Sequence, residues 1–335
     1  MKSKLTYRVR TFSLVLVVRD AESGRVEARR LVDPVLFAVA VAWGSTYLVT
    51  KELLPDASYA PVLLALRLSL ATIAMLAVLV WVGRLPRRPE LTSGALAGVV
   101  LAAIFAFETY GVALTTATNA GVLISLNMVF TPLVGSLVNR RRPSGRFLAL
   151  AGVAVLGVAL LATNGHAAQP HVGDWLILAA AALRAVHVTL LGEVQRRRVV
   201  DSRALTAVQM GTVSAVFLAL SLVAGTPRDY LADMTTGDVA LLLWLALGCT
   251  VFAFFAQTWA IAHTSPSRVS LLLGTEPVWA ALIGVGIAHE HIGPVGIIGI
   301  VLTIAATLAA RRLEDDAPLQ VESVPSTREP ATIAV

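Results

Sequence analysis

The chain has 335 residues, of which 56% are hydrophobic and only 14% are charged, and its mean hydropathy is +0.76. Soluble globular domains carry about 25% charged residues, so this composition excludes an ordinary soluble protein. The net charge of +6 does not indicate a nucleic-acid partner, because Lys and Arg crowd the cytoplasmic loops of membrane proteins. The sequence predicts an all-α polytopic membrane protein.

The chain begins with a mixed, basic segment, residues 1–33, for which two interpretations stay open: a cytoplasmic extension, or translation from a start codon too far upstream. A polar, proline-containing segment, residues 312–335, predicts a disordered cytoplasmic tail. Between them, apolar runs of the length that crosses a bilayer predict ten transmembrane helices, at 34–54, 61–82, 94–115, 117–138, 147–163, 174–194, 204–225, 238–262, 267–289 and 292–311.

Arginine is distributed unevenly between the predicted loops. Three loops contain three or four Arg each, at 83–93, 139–146 and 195–203. The intervening loops contain almost none, with Arg228 as the exception. Because cytoplasmic loops carry the excess of Lys and Arg, this alternation places both termini in the cytoplasm and supports an even number of spans.

The two halves of the sequence resemble each other. YGVALTTATNAGVLISLNMVFTPLVG (110–135) aligns without a gap with WAIAHTSPSRVSLLLGTEPVWAALIG (259–284). DPVLFAVAVAWGSTYL (33–48) aligns more weakly with DWLILAAAALRAVHVT (174–189). Each half has five spans, so equivalent helices would cross the membrane in opposite directions. We therefore expect two inverted five-helix repeats, an arrangement associated with transporters that alternate access to a midplane site. These repeats are residues 34–163 and 174–311.

Several stretches resemble one family of transporters, the EamA-type branch of the drug/metabolite transporter superfamily. They are WGSTYLVTK (43–51), Arg67, GVALTTATNAGVLISLNMVFTPL (111–133) and FAQTWAIAHTSPSRVSLLLGTEPVWAALIG (255–284). The resemblance extends over residues 33–311, and it implies ten helices in two inverted repeats, a central cavity, and transport of amino acids, related metabolites or drugs. The chain departs from the family at Arg184, where many relatives have tryptophan.

Four ionisable residues lie well inside the predicted spans: Arg67, Glu108, Arg184 and Glu276. Each costs about 2.5–3.5 kcal/mol at a helix centre, so it should face the bundle interior, a partner or water. Arg67 and Glu108 fall at the same height in spans 2 and 3, which predicts a structural ion pair between them. Arg184 and Glu276 lie near the middle of spans 6 and 9 and form a second pair, unless Glu276 faces the cavity alone.

Glu276 precedes Pro277, which has no backbone N–H to donate, so we expect a helix break that faces protein or water. Two roles for Glu276 stay open: a titratable group that carries a proton or binds a substrate amine, and a carboxylate held by Arg184 or backbone N–H groups. The other candidates for lining a substrate cavity, each with bundle packing as the alternative, are Arg184, His187, Asn127, Gln257, Trp43, Tyr47 and Trp279. Asn127 and Gln257 align with Glu276 and Glu108.

The sequence lacks the phosphate loop, H-E-x-x-H and C-x-x-C motifs, and it predicts no enzyme, cofactor or metal site. We expect a secondary transporter of the bacterial inner membrane that exports a small-molecule substrate, either by facilitated transport or coupled to a gradient of protons or another ion. Two alternatives stay open: an intramembrane enzyme that uses Glu276 or His187 as acid and base, and a receptor or structural subunit. The substrate, the coupling ion and the oligomeric state are not fixed by the sequence.

Overall fold

The computed structural model describes residues 31–115, 117–140, 143–163, 171–224, 227–287 and 293–315, and the regular structure of these residues is helical, with no strand. Their helices, in chain order, are α1 Leu31–Leu53, α2 Ala57–Trp81, α3 Arg88–Ala113, α4 Ala117–Ile124, α5 Asn127–Val138, α6 Gly145–Thr163, α7 Val172–Arg197, α8 Ser202–Ala224, α9 Pro227–Ala232, α10 Thr236–His263, α11 Pro266–Leu273, α12 Glu276–Ile287 and α13 Pro294–Asp315.

Seven helical segments are long and apolar enough to cross a membrane: α1, α2, α3, α7, α8, α10 and the joined pair α11–α12. Three shorter apolar helices are Asn127–Val138, Gly145–Leu160 and Pro294–Ala306. Several helices extend beyond their predicted limits, and α3 begins at Arg88 rather than at residue 94. Helix α1 begins at Leu31, inside the predicted extension, and α13 continues to Asp315, inside the predicted tail. Residues 1–30 and 316–335 lie outside the described residues.

The outside of the bundle is apolar. Large hydrophobic side chains such as Ile73, Val80, Leu222 and Val223 are exposed. Soluble proteins rarely expose contiguous apolar surface of this kind, whereas a helix surface that faces lipid requires it. The chain is therefore a multi-pass membrane protein.

Helices from the first half of the chain pack against helices from the second half. Helix α2 packs on α8, α3 packs on α7 and α8, and α6 packs on α13. Small residues permit some of these contacts: a Cβ on Gly157 of α6 would lie 2.7 Å from the backbone oxygen of Gly299 in α13. The polar residues inside the bundle consequently lie between the two halves.

Contacts near the helix ends identify which connections share a face. Arg84, which follows α2, lies 3.7 Å from Glu90 of α3 and 3.6 Å from Asp201, which precedes α8. At the other end of α2, Tyr230 of α9 donates a hydrogen bond to the carbonyl oxygen of Leu53 at 2.7 Å. The α2–α3 and α7–α8 connections therefore share one face, which agrees with their shared excess of arginine.

Helix α10 contains a wide turn that the sequence analysis did not predict. Residues Trp244–Phe252 form π-helix, a winding often found at functional sites. Within it, the hydroxyl of Thr250 donates to the carbonyl of Leu245 at 2.7 Å. The carbonyl of Cys249 accepts a hydrogen bond from Trp43 Nε1 of α1 at 2.9 Å. The π segment thus turns backbone and hydroxyl oxygens towards α1 and α2.

Candidate functional site

Two helices break at equivalent positions of the aligned halves. Helix α5 begins at Asn127, directly after the α4–α5 turn, and α12 begins at Glu276, directly after the α11–α12 turn. Pro277 occupies the second position of α12, where its missing N–H costs no helical hydrogen bond. A carboxylate in the first turn also interacts favourably with the helix N-terminus. The break expected from Glu276-Pro277 is present.

Glu276 lies in a buried cluster of charged and polar side chains from four helices. Tyr47 of α1 donates its phenolic hydrogen to Glu276 Oε1. Arg184 of α7 contacts Glu276 Oε2 at 3.3 Å and Glu108 Oε2 of α3 at 3.4 Å. One guanidinium is therefore shared by two carboxylates, and the pair of Arg184 with Glu276 is the one anticipated from their depth.

Access to this cluster is graded. The side chain of Glu108 is 10% exposed, that of Arg184 5%, and that of Glu276 1%. Glu108 is thus the member nearest to accessible space, and Glu276 is the deepest. Both contacts of Arg184 are longer than the 2.7–2.9 Å of strong charge-assisted hydrogen bonds, so neither carboxylate is held in the tightest geometry.

The plane of Arg184 rests on an aromatic ring. Its Cζ lies 4.4 Å from the centroid of Trp43, a distance at which the ring face attracts a cation. Trp43 is itself held by the hydrogen bond from its Nε1 to the carbonyl of Cys249. Of the candidate aromatic residues, Trp43 and Tyr47 are therefore in the charged cluster.

Arg67 and Glu108 do not form the expected ion pair by direct contact, although Glu108 attracts the Arg67 guanidinium from beyond contact distance. Glu108 is contacted by Arg184 instead, while Arg67 Nε donates to Thr250 Oγ1 at 2.8 Å and its Cζ lies 5.1 Å from the centroid of Phe105. Equal height along two helices is not sufficient for a contact, because the rotation of each helix about its axis decides which side chains meet. Thr250 was missed, although a threonine inside an apolar span is a recognisable signal for a polar contact.

The other predicted site residues make their contacts elsewhere, not with the members of this cluster. His187 Nε2 is 2.7 Å from Gln209 Oε1 of α8, so this imidazole meets an amide rather than a carboxylate. Trp279 packs edge-on against the exposed Phe37 at 4.8 Å between centroids. Asn127 and Gln257 are 2% and 1% exposed, and their side-chain oxygens have no hydrogen-bond partner among the described residues. Such orphaned acceptors call for a water or a ligand.

No group of His, Cys, Asp and Glu suited to a metal ion occurs among the residues that the structure describes. The chemistry available at the cluster is therefore ionic and hydrogen-bonding: two carboxylates, one guanidinium, one phenol and two aromatic faces. This set can bind a charged small molecule or exchange a proton.

Comparison with known proteins identifies a family whose members resemble this chain. A model of the EamA-like transporter family matches residues 31–163 and 171–311. An uncharacterized transporter of Archaeoglobus fulgidus is 30% identical over 214 residues, which cover 63% of this chain and 72% of that protein. A "Probable terminal-alkyne amino-acid exporter" of Streptantibioticus cattleyicolor is 26% identical over 292 residues, which cover 83% of this chain and 94% of that protein.

An inner membrane transporter of Escherichia coli K12, YedA, is 26% identical over 78% of this chain and 84% of its own length. A solved crystal structure superimposes with a TM-score of 0.67 at 16% identity, covering 85% of this chain and 99% of that chain. At this identity the likeness concerns the fold alone.

Proposed function

Because this chain belongs to the EamA-like transporter family, we propose that it is a secondary transporter that moves a small metabolite across the cytoplasmic membrane by alternating access, in the direction of export. The names of its relatives are those of transporters. The relative named as an amino-acid exporter supports amino acids or related compounds as the substrate class. Drugs are the second substrate class that the family suggests.

Ten helices in two inverted repeats are part of this proposal. The family model matches twice, over segments of similar length. The two broken helices α4–α5 and α11–α12 also carry aligned residues, Asn127 and Glu276, at the same position after the break. Irregular backbone of this kind is tolerated in a membrane only against protein or water. In transporters, such broken helices border the substrate site at the interface between repeats.

One observation carries the functional proposal: a buried charged cluster joins both halves of the chain. Trp43, Tyr47 and Glu108 come from the first half, and Arg184 and Glu276 come from the second. Ionisable groups at membrane depth are costly and usually mark substrate or ion pathways. A movement of one half against the other would change the contacts of Arg184 with both carboxylates, which links the site to alternating access.

We further propose that a transmembrane ion gradient supplies the energy, with Glu276 as the group that carries a coupled proton. The carboxylate is the deepest member of the cluster, and a phenol and a guanidinium contact it. Both partners donate hydrogen bonds to the carboxylate. Protonation removes the negative charge of Glu276 and so weakens its contacts with both donors. Both termini are proposed to face the cytoplasm, on the face that carries the arginine-rich loops.

The experiment begins with a thermal-shift screen of detergent-purified protein against amino acids, organic acids, nucleosides and cationic drugs. A ligand that binds only the folded state stabilises it by about 2.7 kcal/mol at 100 times its Kd. Stabilising compounds are then tested for counterflow and for uptake driven by a pH gradient in proteoliposomes. The proposal predicts saturable movement of at least one compound class, and failure of every stabilising compound to move would contradict it.

The variant Glu276→Gln tests the coupling separately. It should abolish accumulation driven by the pH gradient and retain substrate exchange, because the amide keeps the shape of the side chain but carries no proton at neutral pH. Ser69→Ala, on α2 outside the cluster, serves as the matched control, since among the described residues its hydroxyl is hydrogen-bonded to Ser214, at 2.9 Å. An unchanged pH dependence in Glu276→Gln would remove the proton role and leave transport intact.

A further inference from the structure

Arg67 is a buried cation that has no carboxylate within ion-pair distance among the residues the structure describes; Glu108, which contacts Arg184, attracts it only from farther away. It lies on α2 with 4% of its surface exposed. Its contacts are the hydrogen bond from Nε to Thr250 Oγ1 at 2.8 Å and the ring of Phe105, whose centroid is 5.1 Å from Cζ. Both partners are neutral. The terminal nitrogens of the guanidinium make no hydrogen bond with a described residue, so the two-pronged end of the side chain is available.

This arrangement differs from that of the other buried arginine. Arg184 has an aromatic ring and two carboxylates, whereas Arg67 has an aromatic ring and one hydroxyl. Buried charges in proteins are normally paired or coordinated, and inside a membrane an uncompensated charge is still less favourable. Glu108 is engaged by Arg184 and does not contact Arg67, so the guanidinium fork of Arg67 has no directly bound anion among the described residues.

The position of Arg67 borders the charged cluster. Phe105, on which Arg67 rests, lies three residues before Glu108 and thus on the same face of α3. Thr250, the hydrogen-bond partner of Arg67, directly follows Cys249, whose carbonyl accepts the hydrogen bond from Trp43. Trp43 and Glu108 both contact Arg184, so the two arginines border the same region.

We propose that Arg67 binds the carboxylate of the transported molecule. A guanidinium fork matches the two oxygens of a planar carboxylate with parallel hydrogen bonds. The neighbouring cluster holds two carboxylates and only one guanidinium, and its excess of negative charge disfavours a doubly charged anion such as phosphate. The same excess favours a ligand that also carries an ammonium group, with its carboxylate at Arg67 and its ammonium towards Glu108.

This inference rests on the proposed transport function, and it can fail separately from it. The probes are matched pairs that differ only in the carboxylate: leucine with isoamylamine, and phenylalanine with phenethylamine. Thermal shifts and counterflow are measured for the wild type, for Arg67→Gln, for Arg67→Lys and for the control Ser69→Ala. Lysine keeps the charge of Arg67 but loses the fork.

We expect at least one amino acid to raise the melting temperature of the wild type and of Ser69→Ala. The thermal shift produced by the matching amine should be at least tenfold smaller. Arg67→Gln should lose this preference, with amino acid and amine becoming equal, and Arg67→Lys should recover part of it. A purely structural role would lower the melting temperature of Arg67→Gln without changing the ratio within a pair.

Two results would overturn the assignment. One is a wild-type protein that no carboxylate-bearing probe stabilises, and the other is an Arg67→Gln variant that keeps the full preference for the amino acid. If Arg67→Gln is too unstable to purify, Arg67→Lys alone decides, because an unchanged pair ratio in that variant excludes recognition by the fork. Counterflow by the wild type that accompanies either of these two results would show that the chain is a transporter in which Arg67 does not have this role.

Discussion

The guanidinium of Arg184 lies over the indole of Trp43, with its Cζ 4.4 Å from the ring centroid. These two residues occupy the same column when residues 33–48 are aligned with 174–189. Aligned residues of two inverted repeats meet only near the axis that relates the repeats. Under the proposed inverted-repeat arrangement, their contact would lie near that axis. The exchange of an aromatic residue for a cation at this position makes the two sides of the site chemically different.

The first prediction concerns Arg184. Arg184→Gln should strongly destabilise the protein, because it leaves Glu108 and Glu276 buried side by side without a counter-charge. Removal of one partner from a buried ion pair typically costs about 3–5 kcal/mol. The melting temperature of the detergent-purified variant measures this. The double variant Arg184→Gln/Glu108→Gln should recover part of the loss, since one of the two carboxylates is then neutral.

Arg196→Gln is the matched control for this prediction. Arg196 lies on the same helix and contacts Glu193 at 2.9 Å, but its side chain is 56% exposed. Exposed ion pairs contribute about 0–1 kcal/mol, so this variant should melt close to the wild type. Equal melting temperatures for Arg184→Gln and Arg196→Gln would show that the buried charges do not depend on one another.

The second prediction is a pH dependence at the α7–α8 connection. Burial would raise the pKa of Asp201, but hydrogen bonds from the Arg203 side chain and from the backbone N–H groups of Ala204 and Arg203 outweigh it and lower the pKa from its ordinary value. A carboxylate with a depressed pKa contributes stability above its unfolded pKa of about 3.9, and this contribution is lost as the pH falls through the folded value.

Asp201→Asn should therefore melt below the wild type at neutral pH, and the difference should shrink below about pH 4, as the wild-type carboxylate becomes protonated. Asparagine keeps the accepting oxygen for the backbone N–H groups, so the comparison isolates the charge. Asp233→Asn, at an exposed aspartate between α9 and α10, is expected to melt at the same temperature as the wild type at both neutral and acidic pH. A difference that is constant from neutral to acidic pH would refute the assigned role of the charge.

The sequence predicts the helices more reliably than the contacts between them. Apolar runs locate the helical segments to within a few residues, because hydrophobic length is a local property. Glu276-Pro277 likewise predicts the start of α12, since proline restricts the backbone locally. The sequence does not predict which carboxylate contacts which arginine, because position along a helix fixes the height of a side chain but not the direction in which it points. The π segment Trp244–Phe252 escapes prediction for a related reason: tertiary contacts such as that of Cys249 with Trp43 favour it.

The third prediction tests the orientation in the membrane. Cys249 is the single cysteine of the chain and is buried, so Cys249→Ala provides a background without thiols. In that background, Ser58→Cys in the first turn of α2 and Val199→Cys between α7 and α8 introduce thiols at two exposed positions. A membrane-impermeant maleimide should label Ser58→Cys in intact cells and Val199→Cys only after permeabilisation. The opposite pattern would place the termini outside.

The fourth prediction concerns the contact of α1 with α12, which carries Glu276. A Cβ on Gly44 would lie 2.7 Å from Trp279 Cβ and 2.8 Å from the backbone nitrogen of Ala280. The backbone cannot yield as a flexible side chain does, so Gly44→Ala should force the helices apart and cost about 1–3 kcal/mol. The separation should also weaken the hydrogen bond of Tyr47 to Glu276 and lower transport. Gly135→Ala is the control, because a Cβ there meets nothing within 4 Å and alanine favours the helix. If both variants melt and transport alike, α1 and α12 do not need this close approach.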